Sequence, residues 1–387
     1  MCRPSKSERS VDAIEVDTTP SWFVVSGTFP HNPCIGKTDT IRQIRRSRTS
    51  VPGSHEHRPQ PTDVRLGRIV RLLMEHATVV VSGTKIAQEI SSTRSEVWRL
   101  IQQLRGLGVD VAGHAATGYQ LRSVPDLLLP EILRPFLRGT IFDAQLHHFY
   151  KIGSTNTAAM AAAAEGAPEG SVFLAEEQTG GRGRGAHAWH SERSAGIYCS
   201  VVLRPALLPS EVLVLSLAAG LAVQAAIQQI DSRVNVDLKW PNDLLIGGKK
   251  VCGILTEMNA EATRVRYIVV GIGINVSQAT FPKELAEQAT SLRLTTGSEW
   301  SRVELAGALL KSLDGEYRQL LGQADARRSI LRRFSEHSSW VDGKAVRVEE
   351  NGSDLEGTTE GLDDRGFLRV RTGQGVQTVL SGTVREK

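Results

Sequence analysis

The sequence predicts a mixed α/β domain with a winged helix-turn-helix in front of it and a small β-barrel behind it. Three observations point there. Between residues 61 and 122, capped helices in tight succession end in a hairpin pattern. From 123 to 335, short β-rich runs alternate with helical stretches, one of them long and almost wholly apolar. From 336 to 387, short strand patterns are spaced by Gly and Asp turns. A length of 387 residues, 40% hydrophobic and 23% charged, fits two or three domains.

Residues 1–60 stand outside this plan. Ser, Thr, Pro and Arg dominate, residues 41–48 form a basic run, and only Trp22-Phe23-Val24-Val25 has strand character. The segment reads as a disordered tail without an assigned function. It opens on Met1-Cys2-Arg3-Pro4-Ser5-Lys6 with no apolar segment, so no secretory signal is expected. Cysteines 2, 34, 199 and 252 have no close pairing and form no C-x-x-C, so neither a disulfide scaffold nor a thiolate zinc site is supported, and a reducing cytoplasm is the expected setting. No run approaches the ~20 uncharged apolar residues of a membrane span.

Charge is unevenly placed. Residues 1–60 carry 9 Lys/Arg against 6 Asp/Glu, 61–122 carry 8 against 5, and 123–387 carry 29 against 31. The basic excess lies in the first third, as in a nucleic-acid-binding module joined to a neutral enzyme.

Within the first domain, Leu66, Ile69, Val70, Leu72 and Leu73 give a helical apolar stripe. Ser82-Gly83-Thr84 turns the chain and caps a short helix over 85–90. Ser91-Ser92-Thr93 caps again, and Thr93 with Glu96 has capping-box spacing. The next helix carries Val97, Ile101 and Leu104 on one face and stops at Leu107-Gly108. Residues 109–111 and 118–121 read as the two strands of a wing. A small helical interaction domain is the other reading of the same helices. In the central domain the expected strands are 172–175, 197–203, 236–240, 244–246, 253–257 and 267–272. The expected helices are 157–165, 211–230 and 302–318, and Gly247-Gly248 implies an antiparallel pair. The last domain should contain strands at 345–348, 357–359, 367–371 and 377–380.

The densest chemical signal is Gln178-Thr179-Gly180-Gly181-Arg182-Gly183-Arg184-Gly185, with Trp189 shortly after. Glycines let backbone approach a ligand closely, and the arginines supply fixed cations for an anionic group. This is not a Walker A loop, because no G-K-[ST] follows. Its place between two strand patterns separates it from the Arg-Gly repeats of disordered RNA-binding tails. Lys239-Trp240-Pro241-Asn242-Asp243 and the lysines of Gly247-Gly248-Lys249-Lys250 stand around a tight turn, which alone reads as a solvated hairpin tip. Gly271-Ile272-Gly273-Ile274-Asn275-Val276 fails as a dinucleotide fingerprint, having no third Gly and no following helix. Ser154-Thr155-Asn156 precedes an Ala-rich helix as an N-cap and could equally offer hydroxyls and an amide to a polar ligand. No nucleophile triad, paired-carboxylate motif or metal-ligand spacing emerges. Arginines, lysines and glycines without a nucleophile suit chemistry by positioning and charge neutralisation, such as attack on a nucleotide phosphate.

In order along the chain, S-T-N at 154–156, Q-x-x-G-R-G-R at 178–184 with Trp189, K-W-P-N-D at 239–243, K-x-x-G-I-L at 250–255 and G-I-N at 273–275 resemble the biotin protein ligases. The similarity spans 62–387. The winged helix-turn-helix and the barrel make it similar to the bifunctional class, which ligates biotin and represses transcription of biotin synthesis. The resemblance implies an α+β catalytic domain of the biotin/lipoate ligase type with an SH3-like barrel. It implies a reaction in which biotin and ATP give biotinyl-5′-adenylate and pyrophosphate, after which a lysine of the biotin carboxyl carrier protein of acetyl-CoA carboxylase is acylated. ATP, Mg2+ and biotin are then the implied small molecules. Biotin-operon DNA and a homodimer formed on adenylate binding are the other implied partners, with no membrane.

The same resemblance implies residue roles. Lys250, Arg182 and Arg184 would be catalytic, with Lys250 touching both the biotin carboxyl and the α-phosphate. Ser154, Thr155, Asn156, Gln178, Gly181, Gly183 and Gly253 would join them around biotin. Trp189 would stack on adenine, with Asn242, Asp243 and Asn275 on the nucleotide and magnesium side. Thr93, Arg94, Ser95 and Arg99 would face DNA. Two departures stand out. Ala186 and His187 replace a second Gly and a third Arg that the family's loop often carries, so one cation becomes titratable near neutrality. Glu96 and Trp98 are unusual on a helix face meant for phosphates and base edges. A lipoate-protein ligase is the alternative enzyme, disfavoured by the intact R-G-R loop and lysine motifs. A non-catalytic ligand-sensing regulator is the alternative outside enzymology, disfavoured by retention of Arg182 and Lys250.

Overall fold

A computed structural model of the chain describes residues 61–387 apart from 115–116, 124–125 and 351–352. The tail and its strand-like Trp22-Phe23-Val24-Val25 therefore lie outside the described residues.

Three helices open the described chain: α1 (Pro61–Glu75), α2 (Gly83–Glu89) and α3 (Arg94–Gly106). The cap signals act as caps: Ser82 Oγ accepts from the Lys85 N–H at 3.1 Å and Thr93 Oγ1 from the Glu96 N–H at 3.2 Å. The capping box is only half made, because the Glu96 carboxylate binds Arg99 at 2.7 and 2.9 Å instead of reaching back. Val97, Leu100, Ile101 and Leu104 are buried, so α3 packs by one stripe. The wing strands β1 (Val111–His114) and β2 (Gly118–Leu121) are antiparallel. β1 starts two residues later than the 109–111 pattern suggests. The Val109 N–H is spent on the Leu104 carbonyl that ends α3.

α4 (Pro130–Leu137), which the sequence reading missed, links this module to a seven-stranded sheet. Its strands are β3 (Leu146–Phe149), β4 (Val172–Ala175), β5 (Gly196–Leu203), β6 (Asp237–Lys239), β7 (Asp243–Ile246), β8 (Lys249–Glu261) and β9 (Arg264–Asn275), in the order β3-β4-β5-β9-β8-β7-β6. Only β3–β4 is parallel. Alternation decides the two faces. Phe173, Tyr198, Val202 and Val269 belong to a cluster under α5 (Thr155–Ala164), while Leu174, Cys199, Val201 and Val270 face the opposite cluster under α6 (Val212–Ile230) and α8 (Arg302–Gly322). β8 and β9 run well beyond the 253–257 and 267–272 patterns. Their outer ends carry Lys, Arg, Asn and Glu, and the β8–β9 ladder continues through them across a register shift between Asn259 and Ala260, although they break the apolar pattern.

The stretch 209–230 corrects one expectation. It is long and apolar enough to cross a membrane, yet 83% of its apolar window is buried inside the protein, where it covers the sheet. It is a core helix. Further helices α7 (Leu292–Thr296) and α9 (Ala326–Glu336) follow the sheet. The chain then forms β10 (Asp342–Glu350), β11 (Ser353–Leu362), β12 (Leu368–Thr372), β13 (Gly375–Val379) and β14 (Thr383–Glu386), an antiparallel five-stranded sheet ordered β13-β12-β11-β10-β14. Trp240 Nε1 donates to the Gly366 carbonyl at 2.9 Å and fastens the central sheet to this module.

A buried ionic node ties the first module's connection to the central domain. Arg302, at the start of α8, pairs with Glu176 at 2.8 Å and Asp126 at 3.2 Å. Glu176 also accepts from the Leu128 N–H at 2.9 Å and contacts His148 Nε2 at 3.1 Å. Burial alone would raise the Glu176 carboxyl. Arg302 and His148 outweigh it and hold the group at about 2.

Candidate active site

The floor of the site is the β8–β9 ladder, where Gly253 faces Gly273 and Leu255 faces Gly271. These positions must be glycine for contact reasons. A Cβ on Gly271 would lie 2.0 Å from Asn156 Oδ1, one on Gly273 2.5 Å from Trp189 Cε2, and one on Gly253 2.8 Å from Trp189 Cζ3. The G-x-G that fails as a dinucleotide fingerprint is thus a flat shelf under an asparagine and an indole.

The Gly-Arg loop leaves β4 and folds back over this shelf. Gly183 donates to the His187 carbonyl at 2.7 Å and Trp189 to that of Gly181 at 2.8 Å, with Gly185 at φ 57° near the tip. At the base of the loop, Gln178 Oε1 accepts from both the Thr155 N–H at 2.9 Å and its hydroxyl at 3.1 Å. Its Nε2 donates to Ser191 Oγ at 2.8 Å. Ser154 occupies the N-cap position of α5 but its hydroxyl makes no cap bond. Asn156 is fully committed inward: Nδ2 donates to Glu257 at 2.9 Å, and Oδ1 accepts from Ser200 at 2.6 Å.

The three cations are held in different ways. Arg182 forms a two-oxygen pair with the buried Glu257, at 2.9 and 3.2 Å. Arg184 donates to Asn242 Oδ1 at 3.0 Å and to the Gly382 carbonyl at 3.1 Å, so the loop touches the C-terminal module. Burial lowers the Arg184 pKa against the pull of Asp243. Lys250 Nζ lies 2.7 Å from Asp243 and 5.5 Å from the Trp189 ring centre, which puts its charge beside the shelf. Two buried donors there, Trp189 Nε1 and Arg184 Nε, have no hydrogen-bond partner. Asn275 stands back from the site. Its Nδ2 donates to the Thr290 carbonyl at 3.0 Å, and Thr290 in turn donates its N–H to the Lys250 carbonyl.

Thr155, Asn156, Gln178, Gly181, Arg182, Gly183, Arg184, Trp189, Asn242, Asp243, Lys250 and Gly253 therefore form one connected group, with Asn275 behind it. Sequence reasoning missed Glu257, Ser191 and Ser200. A carboxylate closing an apolar strand run was the available signal for Glu257. Among the described residues, no three His, Cys, Asp or Glu side chains cluster as a metal site. On α3, Arg94 and Ser95 are exposed, Thr93 is spent as the cap, and Arg99 is paired with Glu96.

Three parts of the chain match known protein families. Residues 149–275 match the Biotin/lipoate A/B protein ligase family, 343–385 the Biotin protein ligase C terminal domain, and 65–120 an HTH domain. The chain is 33% identical over 318 residues to the bifunctional ligase/repressor BirA of Bacillus subtilis, which covers 82% of this chain and 97% of that protein. It is 34% identical over 269 residues to the biotin–[acetyl-CoA-carboxylase] ligase of Mycobacterium tuberculosis, covering 67% and 97%. Among solved structures, a biotin protein ligase from Aquifex aeolicus in complex with biotin and ATP aligns with a TM-score of 0.55 at 28% identity, over 63% of this chain and all of that one. With the Gly-Arg loop, the Asp243–Lys250 pair and the glycine shelf all inside the matched region, this chain belongs to the biotin protein ligases of the biotin/lipoate A/B protein ligase family.

Proposed function

We propose that the protein makes biotinyl-5′-adenylate from biotin and ATP, transfers biotin to a lysine of a biotin carboxyl carrier protein, and represses biotin-synthesis genes through its N-terminal module. The observation that carries the ligase reading is the convergence of Arg182, Arg184, Lys250 and Trp189 over a glycine floor with two buried donors unpaired. Those donors and cations fit a ligand that is both aromatic and anionic.

In the first step the biotin carboxylate attacks the α-phosphate, forming the mixed anhydride as the bond to pyrophosphate breaks. Two anions must meet, so a cation between them lowers the barrier. Lys250 is placed for this, oriented by Asp243 and anchored through Thr290 and Asn275. Trp189 offers an aromatic face to adenine. Gln178, Thr155 and Ser154 offer polar groups to the biotin head. Asn156 acts behind them by locking Glu257 and the strand. In the second step a carrier lysine attacks the acyl carbon and AMP leaves.

Magnesium fits as a companion of the triphosphate. With no carboxylate cluster among the described residues, it would take most of its ligands from phosphates and water, with Asp243 beside Lys250 as the acid that would face it, since Glu257 is taken up by Arg182 and Asn156. It would add phosphate charge neutralisation. The buried thiols of Cys199 and Cys252 are unpaired, in keeping with a reducing, cytoplasmic setting.

Incubation with radiolabelled ATP and biotin should give labelled adenylate, and addition of an apo carrier domain should give one biotinylated lysine. Lipoate in place of biotin should give neither. Absence of carrier labelling with biotin would overturn the reading, and labelling with lipoate alone would replace it. For the regulatory half, gel shifts on an inverted repeat near biotin-synthesis genes should tighten with biotin plus ATP, because a filled loop favours the dimer that spans two half-sites.

A further inference from the structure

The second turn of α3 carries the largest apolar side chain left in the open by this domain. Trp98 is 58% exposed and makes no ring contact or hydrogen bond among the described residues. Helical spacing puts Ser95, Trp98, Arg99 and Gln102 at i, i+3, i+4 and i+7, the stripe opposite the buried Val97, Leu100, Ile101 and Leu104. An exposed indole on the outer face of a well-packed helix offers a large, rigid apolar face, and the groups around it decide what that face can meet.

Its surroundings say which partner. Glu96, whose acid would repel a phosphate backbone, is neutralised by the two-oxygen grip of Arg99 at 2.7 and 2.9 Å and by Arg65 at 4.0 Å. The domain keeps a basic excess, 8 Lys/Arg against 5 Asp/Glu over 61–122. The far end of α3 is turned toward the catalytic body, where Arg193 donates to the Gly106 carbonyl at 3.4 Å. The first two turns are the end left free for a groove. In the major groove the apolar group on a base edge is the C5-methyl of thymine.

We propose that Trp98 is the specificity-determining residue of α3, reading a thymine in each half-site by packing its indole against the C5-methyl, with the Glu96–Arg99 pair lying alongside as a charge-neutral shoulder. This rests on the DNA-binding reading above, and the test separates the two. The full-length protein, with biotin and ATP, is used to select duplexes from a random pool. Each thymine of the selected half-site is then replaced singly by deoxyuridine, which removes only the methyl. Wild type should lose about tenfold in affinity at one thymine per half-site, within the range of a single disrupted base contact. Trp98→Ala, which truncates an exposed side chain and should melt like wild type, should bind both duplexes equally and select sequences without that thymine. Trp98→Phe should keep a reduced methyl dependence. Full wild-type affinity for every deoxyuridine duplex, or a methyl penalty that survives in Trp98→Ala, would overturn the proposal while leaving DNA binding intact. Loss of dimer in Trp98→Ala without DNA would reassign the indole to a contact between copies. Failure of wild type to enrich any duplex would remove the DNA-binding reading itself.

Discussion

Gly273→Ala tests the shelf. The added methyl would sit 2.5, 2.6 and 2.8 Å from three atoms of the Trp189 indole. Ordinary carbon contacts begin near 3.4 Å, so the ring must retreat by close to 1 Å or lift away. The strand cannot yield: Gly273 is paired on both sides, to Tyr198 and to Gly253. Trp189 stands on a loop and can move. Steric overlap in a closed core costs about 1–3 kcal/mol, but here the loop should release it, so the melting temperature should fall by only a few degrees. The loss should appear in ligand binding. An aromatic stacking contact with a base is worth about 1–3 kcal/mol, or roughly 5- to 150-fold in affinity. Titration with a non-hydrolysable biotinyl-adenylate analogue, followed by Trp fluorescence and calorimetry, measures both. An analogue Kd within twofold of wild type would refute the idea that the glycine pair seats Trp189 for the nucleotide. A large stability loss with normal binding would place the function of Gly273 in the core.

Lys250→Ala should melt within a few degrees of wild type yet slow adenylate formation by about 100-fold or more, the scale of one lost charge-stabilising group; single-turnover synthesis of biotinyl-adenylate checks it. Arg184→Gly removes the bonds to Asn242 and Gly382, so the mutant should still form the intermediate but release it faster, biotinylating lysines on bystander proteins in a mixed incubation. Glu176 gives a pH prediction: its folded pKa of about 2 lies below the ordinary 4.5, so its stabilisation is complete above about pH 4.5 and drains away as pH falls toward 2. Glu176→Gln should therefore lose on the order of 3 kcal/mol in urea unfolding at pH 7, and its deficit against wild type should shrink below pH 4.

Local signals were readable where one residue carries them. Ser82 and Thr93 cap the helices they precede, and the Gly-Arg loop sits over a sheet as its composition suggests. The hidden parts depend on distant residues. β3 escapes the pattern because His147-His148 interrupts its apolar run, and buried His148 meets its polar partner in Glu176, 28 residues away. Glu176 and Arg302 are 126 residues apart, and nothing local in either marks a buried pair. Gly271 and Gly273 fail as a dinucleotide fingerprint because their purpose lies in Asn156 and Trp189 above them. Asn156 and Asn275 carry ligand-type side chains, and only tertiary hydrogen bonds show that each props up another part of the site.

The ionic node at Arg302 bears on how a dimer would measure DNA. Because Asp126 and Leu128 are pinned to the catalytic body, the tether from the wing's last residue, Leu121, to Asp126 is about five residue steps, at most roughly 18 Å. α1 also packs against α4, with Gly67 allowing the Glu131 carboxylate to approach. In the dimer proposed above, the reading heads would then have little slack, and the gap between half-sites would be set by how the catalytic bodies meet. One inserted base pair would turn the second half-site by about 35° around the duplex, a rotation that α1 held against α4 resists, so such a dimer would act as a ruler of half-site spacing.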